Sequence, residues 1–237
     1  MIQKRYKIAI ETDADGFLAR LRLQTVLNEV AASATYREAS GVYLHALFDQ
    51  VPKKYAEIVL DLFRELVPRA VVTGMSQTIF ANEHAERSLE MNFCFFRRSR
   101  VTLLTYQGCP NQCGSAGSTM GEQLAAIPDV RAVAMYCAGI TTNLSTFLES
   151  LSDGRADVPI FGAVAGMFET SAGDAMKVSG NIFDLACSSD APMEQYVVGD
   201  RVWSGGVVMA VFSGSELYAR ADYILNWKPL GKELTIT

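Results

Sequence analysis

Two cysteines and two histidines are the side chains of this sequence best suited to nucleophilic or metal chemistry. Cys109 and Cys113 are separated by three residues, one more than in the Cys-x-x-Cys pairs of zinc ribbons and thioredoxin-like motifs. No second cysteine pair or nearby histidine completes a metal site, which favours structural use. His45 lies in an apolar segment typical of a hydrogen-bonded core residue, and His84 lies in a charged segment typical of a solvated loop. A cysteine-dependent enzyme using Cys109 or Cys113 is therefore a hypothesis that the sequence permits without requiring.

Composition and charge argue against some classes of partner and predict the cellular compartment. The 237 residues are 49% hydrophobic and 20% charged, with a net charge of -5, so a packed core is expected. This charge argues against a general nucleic-acid or anionic-membrane surface, which needs clustered Lys and Arg. The N-terminus has no signal-peptide pattern and no window approaches ~18 uninterrupted apolar residues, so we expect a soluble cytoplasmic protein without membrane insertion. The odd cysteine count, five, favours reduced thiols.

The order of apolar patterns predicts an α/β fold. A short strand over 7–12 precedes a helix that starts at Asp13 or Asp15, and an apolar strand, a striped helix and a second strand follow within residues 41–74. Alternation over 88–106 predicts an antiparallel hairpin. We expect a mixed, largely parallel central sheet with crossover helices in the first two-thirds of the chain. Antiparallel hairpins, including segments 195–198, 201–203 and 207–212, are expected in the C-terminal third.

Small and hydroxyl residues follow the predicted parallel strands. Ligands bind outside the carboxyl ends of such strands, so these positions predict a shared crevice. Helix capping is the alternative use of the hydroxyl groups, and core or interface packing is the alternative for the tryptophan. The candidate ligand-binding residues are Gly74, Ser76, Gly139, Thr141, Gly162, Ala163, Gly166 and Trp203. No Walker A, Gly-x-Ser-x-Gly or Gly-x-Gly-x-x-Gly motif is present, so no catalytic residue is predicted.

Three stretches resemble the N-terminal domain of the FIST sensory family. Val158-Pro-Ile-Phe-Gly-Ala-Val-Ala-Gly166 is similar to its proline, aliphatic and glycine-rich strand, and residues 201–212 resemble its glycine-rich hairpin. Asn226-Trp-Lys-Pro-Leu-Gly-Lys-Glu-Leu-Thr-Ile-Thr237 resembles its junction to a C-terminal FIST domain. Met75 stands where the family has a cysteine. The resemblance implies a sensory domain over 42–237, truncated at that junction, with 1–41 as a strand-helix extension packed on it.

The resemblance also implies a function. FIST domains are bacterial input modules that bind a small ligand, such as an amino acid or related metabolite, and control a fused histidine kinase, diguanylate cyclase or chemoreceptor domain. The expected partners are thus the ligand, the C-terminal FIST domain and the output domain, with a homodimer also plausible. No cofactor is expected, but a haem-based nitric-oxide sensor is an alternative, with His45 or His84 as the axial ligand.

Overall fold

The computed structural model describes residues 1–10, 17–77, 87–107, 113–138, 144–152, 158–166, 168–169 and 193–219. Its helices are α1 (Phe17–Ala32), α2 (Ala34–Glu38), α3 (Lys53–Leu66), α4 (Cys113–Ala125) and α5 (Leu144–Ser152). Its strands are β1 (Ile2–Ala9), β2 (Gly41–Asp49), β3 (Ala70–Gln77), β4 (Ser88–Phe96), β5 (Arg100–Tyr106), β6 (Val130–Ala138), β7 (Ile160–Val164), β8 (Phe168–Glu169), β9 (Met193–Glu194), β10 (Val197–Val198), β11 (Val202–Trp203) and β12 (Gly206–Ser213). None of these helices is long and apolar enough to cross a membrane.

The strands form two mixed sheets beside the short β8–β9 pair. The larger sheet has the order β1-β4-β2-β3-β10-β11, and its parallel pair, β2 and β3, is joined by α3. The smaller sheet has the order β5-β12-β6-β7, and its parallel pair, β6 and β7, is joined by α5. The predicted α/β class and the strand-helix-strand unit within residues 41–74 are confirmed. The parallel pairs are divided between two sheets rather than gathered in one central sheet.

The helices form because their apolar residues recur at helical spacing. α3 follows Pro52, whose fixed φ suits the start of a helix, and it buries Val59, Leu62 and Phe63 as its stripe predicts. Ile58, at the margin of that stripe, stays 47% exposed. The predicted α1 stripe is buried through Leu23, Leu27 and Val30, with Val26 partly buried beside them.

The molecule has four layers, with helices outside and the two sheets packed face to face. One apolar cluster joins α1–α3 to the larger sheet, and a second joins α4 and α5 to the smaller sheet. A third cluster lies between the sheets. In it, the ring of Phe212 on β12 lies 5.0 Å from that of Tyr43 on β2 and 5.7 Å from that of Phe96 on β4. Three separate apolar interfaces therefore hold the layers together.

The hairpin predicted over 88–106 is wrong. β4 pairs with β1 and β2 in the larger sheet, whereas β5 pairs with β12 in the smaller one. The intervening turn carries the chain between the sheets, and a Cβ at Gly41 would lie only 2.5 Å from the carbonyl oxygen of Ser99 in that turn. Alternation identifies each strand correctly but cannot show which sheet a strand joins. Among the C-terminal strands, β10 and β11 form the expected antiparallel pair. The expected pairing of 201–203 with 207–212 is wrong, because β11 stays in the larger sheet whereas β12 enters the smaller one antiparallel to β5 and β6.

The N-terminal segment is part of the larger sheet. β1 pairs along its length with β4, from Ile2 opposite Phe95 to Ala9 opposite Ser88. Its start at residue 2 is earlier than the predicted strand over 7–12. Asp13 and Asp15, the two predicted N-termini of the helix, lie outside the described residues.

Candidate functional site

The carboxyl end of β3 holds the first two candidate residues. Gly74 lies so close to β2 that an added Cβ would be 2.5 Å from the carbonyl oxygen of Ala46, which explains why this position excludes a side chain. Ser76, two residues later, is fully buried. Gly74 therefore serves the contact between β2 and β3, while Ser76 makes hydrogen bonds at the strand end.

Ser76 connects three segments through its hydroxyl and its backbone. Its Oγ donates to the carbonyl oxygen of Gly166 at 2.7 Å and accepts from the backbone N–H of Tyr196 at 3.0 Å. Its backbone N–H donates to the carbonyl of Tyr196 at 2.9 Å, and its carbonyl accepts from the N–H of Gly166 at 2.8 Å. The larger sheet is thereby bonded to the segment that follows β7 of the smaller sheet. We refer to Ser76, Gly166, Gln195 and Tyr196 as the Ser76 junction.

β7 leads directly into this junction. Gly162 has a φ of +154°, and a Cβ there would lie 1.7 Å from the carbonyl oxygen of Met135 on β6, so only glycine fits. Ala163 is exposed. The carbonyl oxygen of Ala165 accepts a 2.6 Å hydrogen bond from Nε2 of Gln195. The structure thus places Ser76 and Gly166 in contact, with Gly162 and Ala163 on the strand that leads to them.

Gln195 and Tyr196 belong to this junction but were not predicted from the sequence. The phenol hydroxyl of Tyr196 donates to the carbonyl oxygen of Val51 at 2.5 Å, and burial raises the pKa of the phenol strongly. The sequence signal was a tyrosine inside an apolar strand-like segment, which also fits an ordinary core position. The described groups of the junction are a hydroxyl, an amide, a phenol and backbone, so its hydrogen bonding is electrically neutral.

Trp203 lies away from the junction, on β11, opposite Val197 of β10. Its indole N–H donates to Oδ1 of Asp200 at 3.0 Å, and the guanidinium of Arg201 lies 5.8 Å from the ring centroid. Its donor is thus satisfied within its own turn. The two remaining candidates, Gly139 and Thr141, lie outside the described residues.

His45, a candidate axial ligand for haem, lies between the sheets. Its ring is parallel to that of Tyr136, with centroids 4.4 Å apart, and its Nδ1 is 3.4 Å from Oγ1 of Thr73. Burial lowers the pKa of His45 to about 4, against a smaller opposing effect of Thr73. The imidazole is therefore neutral at neutral pH, as a haem ligand must be. His84, the other candidate, lies outside the described residues.

The described thiols lie in or beside packed apolar layers. Cys94, Cys113 and Cys137 are free thiols. Burial raises the pKa of Cys137 to about 11 and also raises that of Cys94, which disfavours the reactive thiolate. Cys113 begins α4 and is buried in the cluster beneath α4 and α5, and Cys109 lies outside the described residues. Within the part of the chain that the structure describes, no group of His, Cys, Asp and Glu could hold a metal ion.

Comparison with known proteins identifies the family. The family model described as the FIST N domain matches residues 46–237, which is most of the chain. No curated protein matches the sequence. FIST domains are sensory domains of signal transduction and are not a known enzyme family. The match thus confirms the resemblance seen in the sequence, and the chain belongs to the FIST N domain family of signal-transduction sensory domains.

Proposed function

We propose that this domain is a cytoplasmic, non-catalytic input module of a bacterial signal-transduction protein. It binds a small polar molecule, such as an amino acid or a related metabolite, and controls an output domain fused to the same chain. Its membership of a sensory family supports this role. The partners in this proposal are the ligand, a C-terminal FIST domain and the output domain, and the module needs no cofactor.

The Ser76 junction is the observation on which the proposal depends. Ser76 belongs to the larger sheet, and its hydrogen bonds to Gly166 tie that sheet to the end of β7 in the smaller sheet. The carboxyl ends of parallel strands are the usual place for ligands in open α/β sheets. A ligand that competes for these hydrogen bonds changes how firmly the two sheets are joined at this end.

Signalling follows from that coupling. A ligand shifts a conformational equilibrium only by its difference in affinity for the two states. In this proposal the ligand hydrogen-bonds to the Gln195 amide and to backbone groups near Gly166, and it favours the arrangement in which those groups face it. The output domain responds to the resulting change at the surface of the two sheets.

A thermal-shift screen of the 237-residue chain tests the proposal. Amino acids, nucleotides, small organic acids and haem form the panel, because a ligand that binds the folded state raises the apparent stability by RT ln(1 + [L]/Kd). Ala163→Leu adds bulk at an exposed position of β7 and should abolish the shift from a metabolite hit, whereas Ala163→Ser should preserve it. A hit that is unaffected by Ala163→Leu, or silence across the panel with a folded protein, would count against the proposed site.

A further inference from the structure

Among the described residues, the outer edge of β7 is open and apolar. β7 is the last strand of the smaller sheet, and no described strand pairs with its other side. Its residues Phe161 and Val164 are 48% and 45% exposed, and Gly162 and Ala163 are also exposed. The sequence from Val158 to Gly166 contains no charged residue, and its one proline, Pro159, precedes β7 with its carbonyl oxygen bonded to Val133 of β6. Sheet edges are usually blocked by charges, proline or a covering segment, and an open apolar edge is a template for another strand.

Two contacts define how the sheets are stacked. The ring of His45 lies on that of Tyr136, so β2 lies over β6. Two strands further across the larger sheet, the end of β10 lies over β12 and β5. A Cβ on Gly199, just after β10, would be 2.8 Å from Val208 and 3.0 Å from Thr105. Moving from β10 towards β1 across the larger sheet therefore corresponds to moving from β5 towards β7 across the smaller sheet. At the level of His45, the same count places Asn92 of β4 over Ala163 of β7, and Arg5 of β1 one strand beyond the smaller sheet. Towards the other end of β4, Phe96 lies beside Phe212 of β12 instead.

The inward face of β1 agrees with this arrangement. Tyr6 and Ile8 pack into the cluster beneath the helices, so Gln3, Arg5 and Lys7 project from the opposite face, towards the smaller sheet. All three are exposed, with side-chain exposures of 65% for Arg5 and 58% for Lys7. The face is exposed because, among the described residues, no strand of the smaller sheet lies beneath it.

This face also has an excess of positive charge. Arg5 and Lys7 both contact the carboxylate of Glu90, at 2.5 and 3.4 Å. Burial opposes the charged form of Glu90, but these two cations together lower its pKa, so it is ionised at neutral pH. One carboxylate between two cations leaves a net charge of about +1, and both cations remain largely open to a second anion.

We propose that the outer edge of β7 binds an extended acidic segment of a partner protein, which adds a strand to the smaller sheet beneath β1. Main-chain hydrogen bonds to β7 fix the register, as in other cases of β-augmentation. Alternate side chains of the added strand point towards β1, and acidic residues at those positions pair with Arg5 and Lys7. The intervening side chains lie on the same face as Val164 and are apolar.

The charge of the β1 face favours this occupant over a second copy of the chain. If β7 paired with its own copy, the side chains presented to the β1 cations would be Phe161 and Ala163. These apolar side chains would leave the cations without a counter-charge. An acidic strand satisfies both the open edge and the exposed cations. This inference concerns an edge of the domain and does not depend on the small ligand proposed above.

Labelled peptides provide the test. The first peptide has about seven residues, a typical strand length, with Glu and Val in alternation, and its matched control has Lys in place of Glu. Fluorescence anisotropy with the 237-residue chain should show binding of the Glu peptide, weakened by added salt, and much weaker binding of the Lys peptide. Equal binding of both peptides, or of neither, would overturn the proposal.

Paired variants locate the binding. The N–H of Ala165 donates to Cys137 on β6, so alternation directs the N–H of Val164 to the outer edge. Val164→Pro removes that donor without removing a hydrogen bond to β6, and it should weaken Glu-peptide binding about fivefold or more. Val164→Thr keeps the N–H and should bind as the parent chain does. Equal affinity of the two variants would contradict β-augmentation at this edge.

A double variant on β1 tests the charge without changing β7. Arg5→Gln combined with Lys7→Gln should weaken Glu-peptide binding about threefold or more and reduce its salt dependence. Thermal unfolding of each variant confirms that it is folded. If no peptide binds and the chain instead forms a dimer that Val164→Pro dissociates, the edge serves self-association and the acidic partner is excluded.

Discussion

His45 makes the stability of the domain depend on pH in a way that can be measured in isolation. The imidazole lies between the two sheets, stacked on Tyr136, and burial lowers its pKa from the ordinary value of 6.5 to about 4. The unfolded chain therefore binds a proton at His45 throughout the interval between these two values, whereas the folded chain does not. Stability contributed by the neutral imidazole is complete above pH 6.5 and is lost as the pH falls towards 4.

The size of the effect follows from the two pKa values. A difference of about 2.5 pKa units corresponds to roughly 3 kcal/mol once the pH is below both values. At pH 5 the linkage relation gives a loss of about 2 kcal/mol relative to pH 7, since the folded protein is then still mostly neutral at His45. A loss of this size is a large fraction of the stability of an ordinary domain.

Urea unfolding at about pH 7 and about pH 5 measures this loss. His45→Gln removes the titrating imidazole. The free energy of unfolding of this variant should therefore fall less between about pH 7 and about pH 5 than that of the parent chain, by about 2 kcal/mol. His84→Gln is the control, because the chain has only these two histidines, and it should behave as the parent does. Carboxylates titrate in all three proteins and cancel in the comparison. An equal loss in His45→Gln and the parent, or an imidazole signal of His45 that titrates near 6.5 by NMR, would refute the reasoning.

Three further substitutions, with Gly114→Ala as a control, test the packing and the junction. Gly117→Ala on α4 would bring a Cβ to 2.4 Å from the carbonyl oxygen of Phe147 on α5, so it should destabilise by about 1–3 kcal/mol in urea unfolding. Gly114→Ala meets nothing closer than 3.6 Å and should be neutral or stabilising, so equal losses in the two variants would contradict this helix contact. Ser76→Ala leaves the buried N–H of Tyr196 without its hydroxyl acceptor and should cost about 1–3 kcal/mol by the same assay; an unchanged midpoint would mean that the junction adds no stability. Tyr196→Phe removes one buried hydrogen bond and should cost about 1 kcal/mol, and a stabilised variant would oppose that assignment.

Local periodicity was sufficient to predict the helices and most strands. The stripe of α3 and the apolar strands on either side of it depend on neighbouring residues only, and the structure confirms this unit. The alternating strands β4 and β5 were also recognised. Their pairing was not, because the choice between two sheets is made by contacts with β1 and β12, which are distant in sequence.

Which candidate residues are neighbours could be predicted only in part. The rule that ligands bind at strand ends selected Ser76 and Gly166, and the structure places them in contact. Gln195 and Tyr196 enter the same junction from a segment about 120 residues further along the chain than Ser76. No local pattern distinguishes these two residues from ordinary strand residues. Trp203 was predicted as a ligand-binding residue from its side-chain type. In the structure its indole N–H donates to Asp200 in the same turn.

Amide chemical-shift mapping tests the central claim, that the Ser76 junction binds a small polar molecule, most directly. The 15N-labelled chain would be titrated with a mixture of the standard L-amino acids and then with its separate components. We predict saturable shifts for one component at Ser76, Gly166 and Tyr196, with α4 and α5 unaffected. Saturable shifts confined to other parts of the chain, or no shifts for any component at millimolar concentration, would contradict the account.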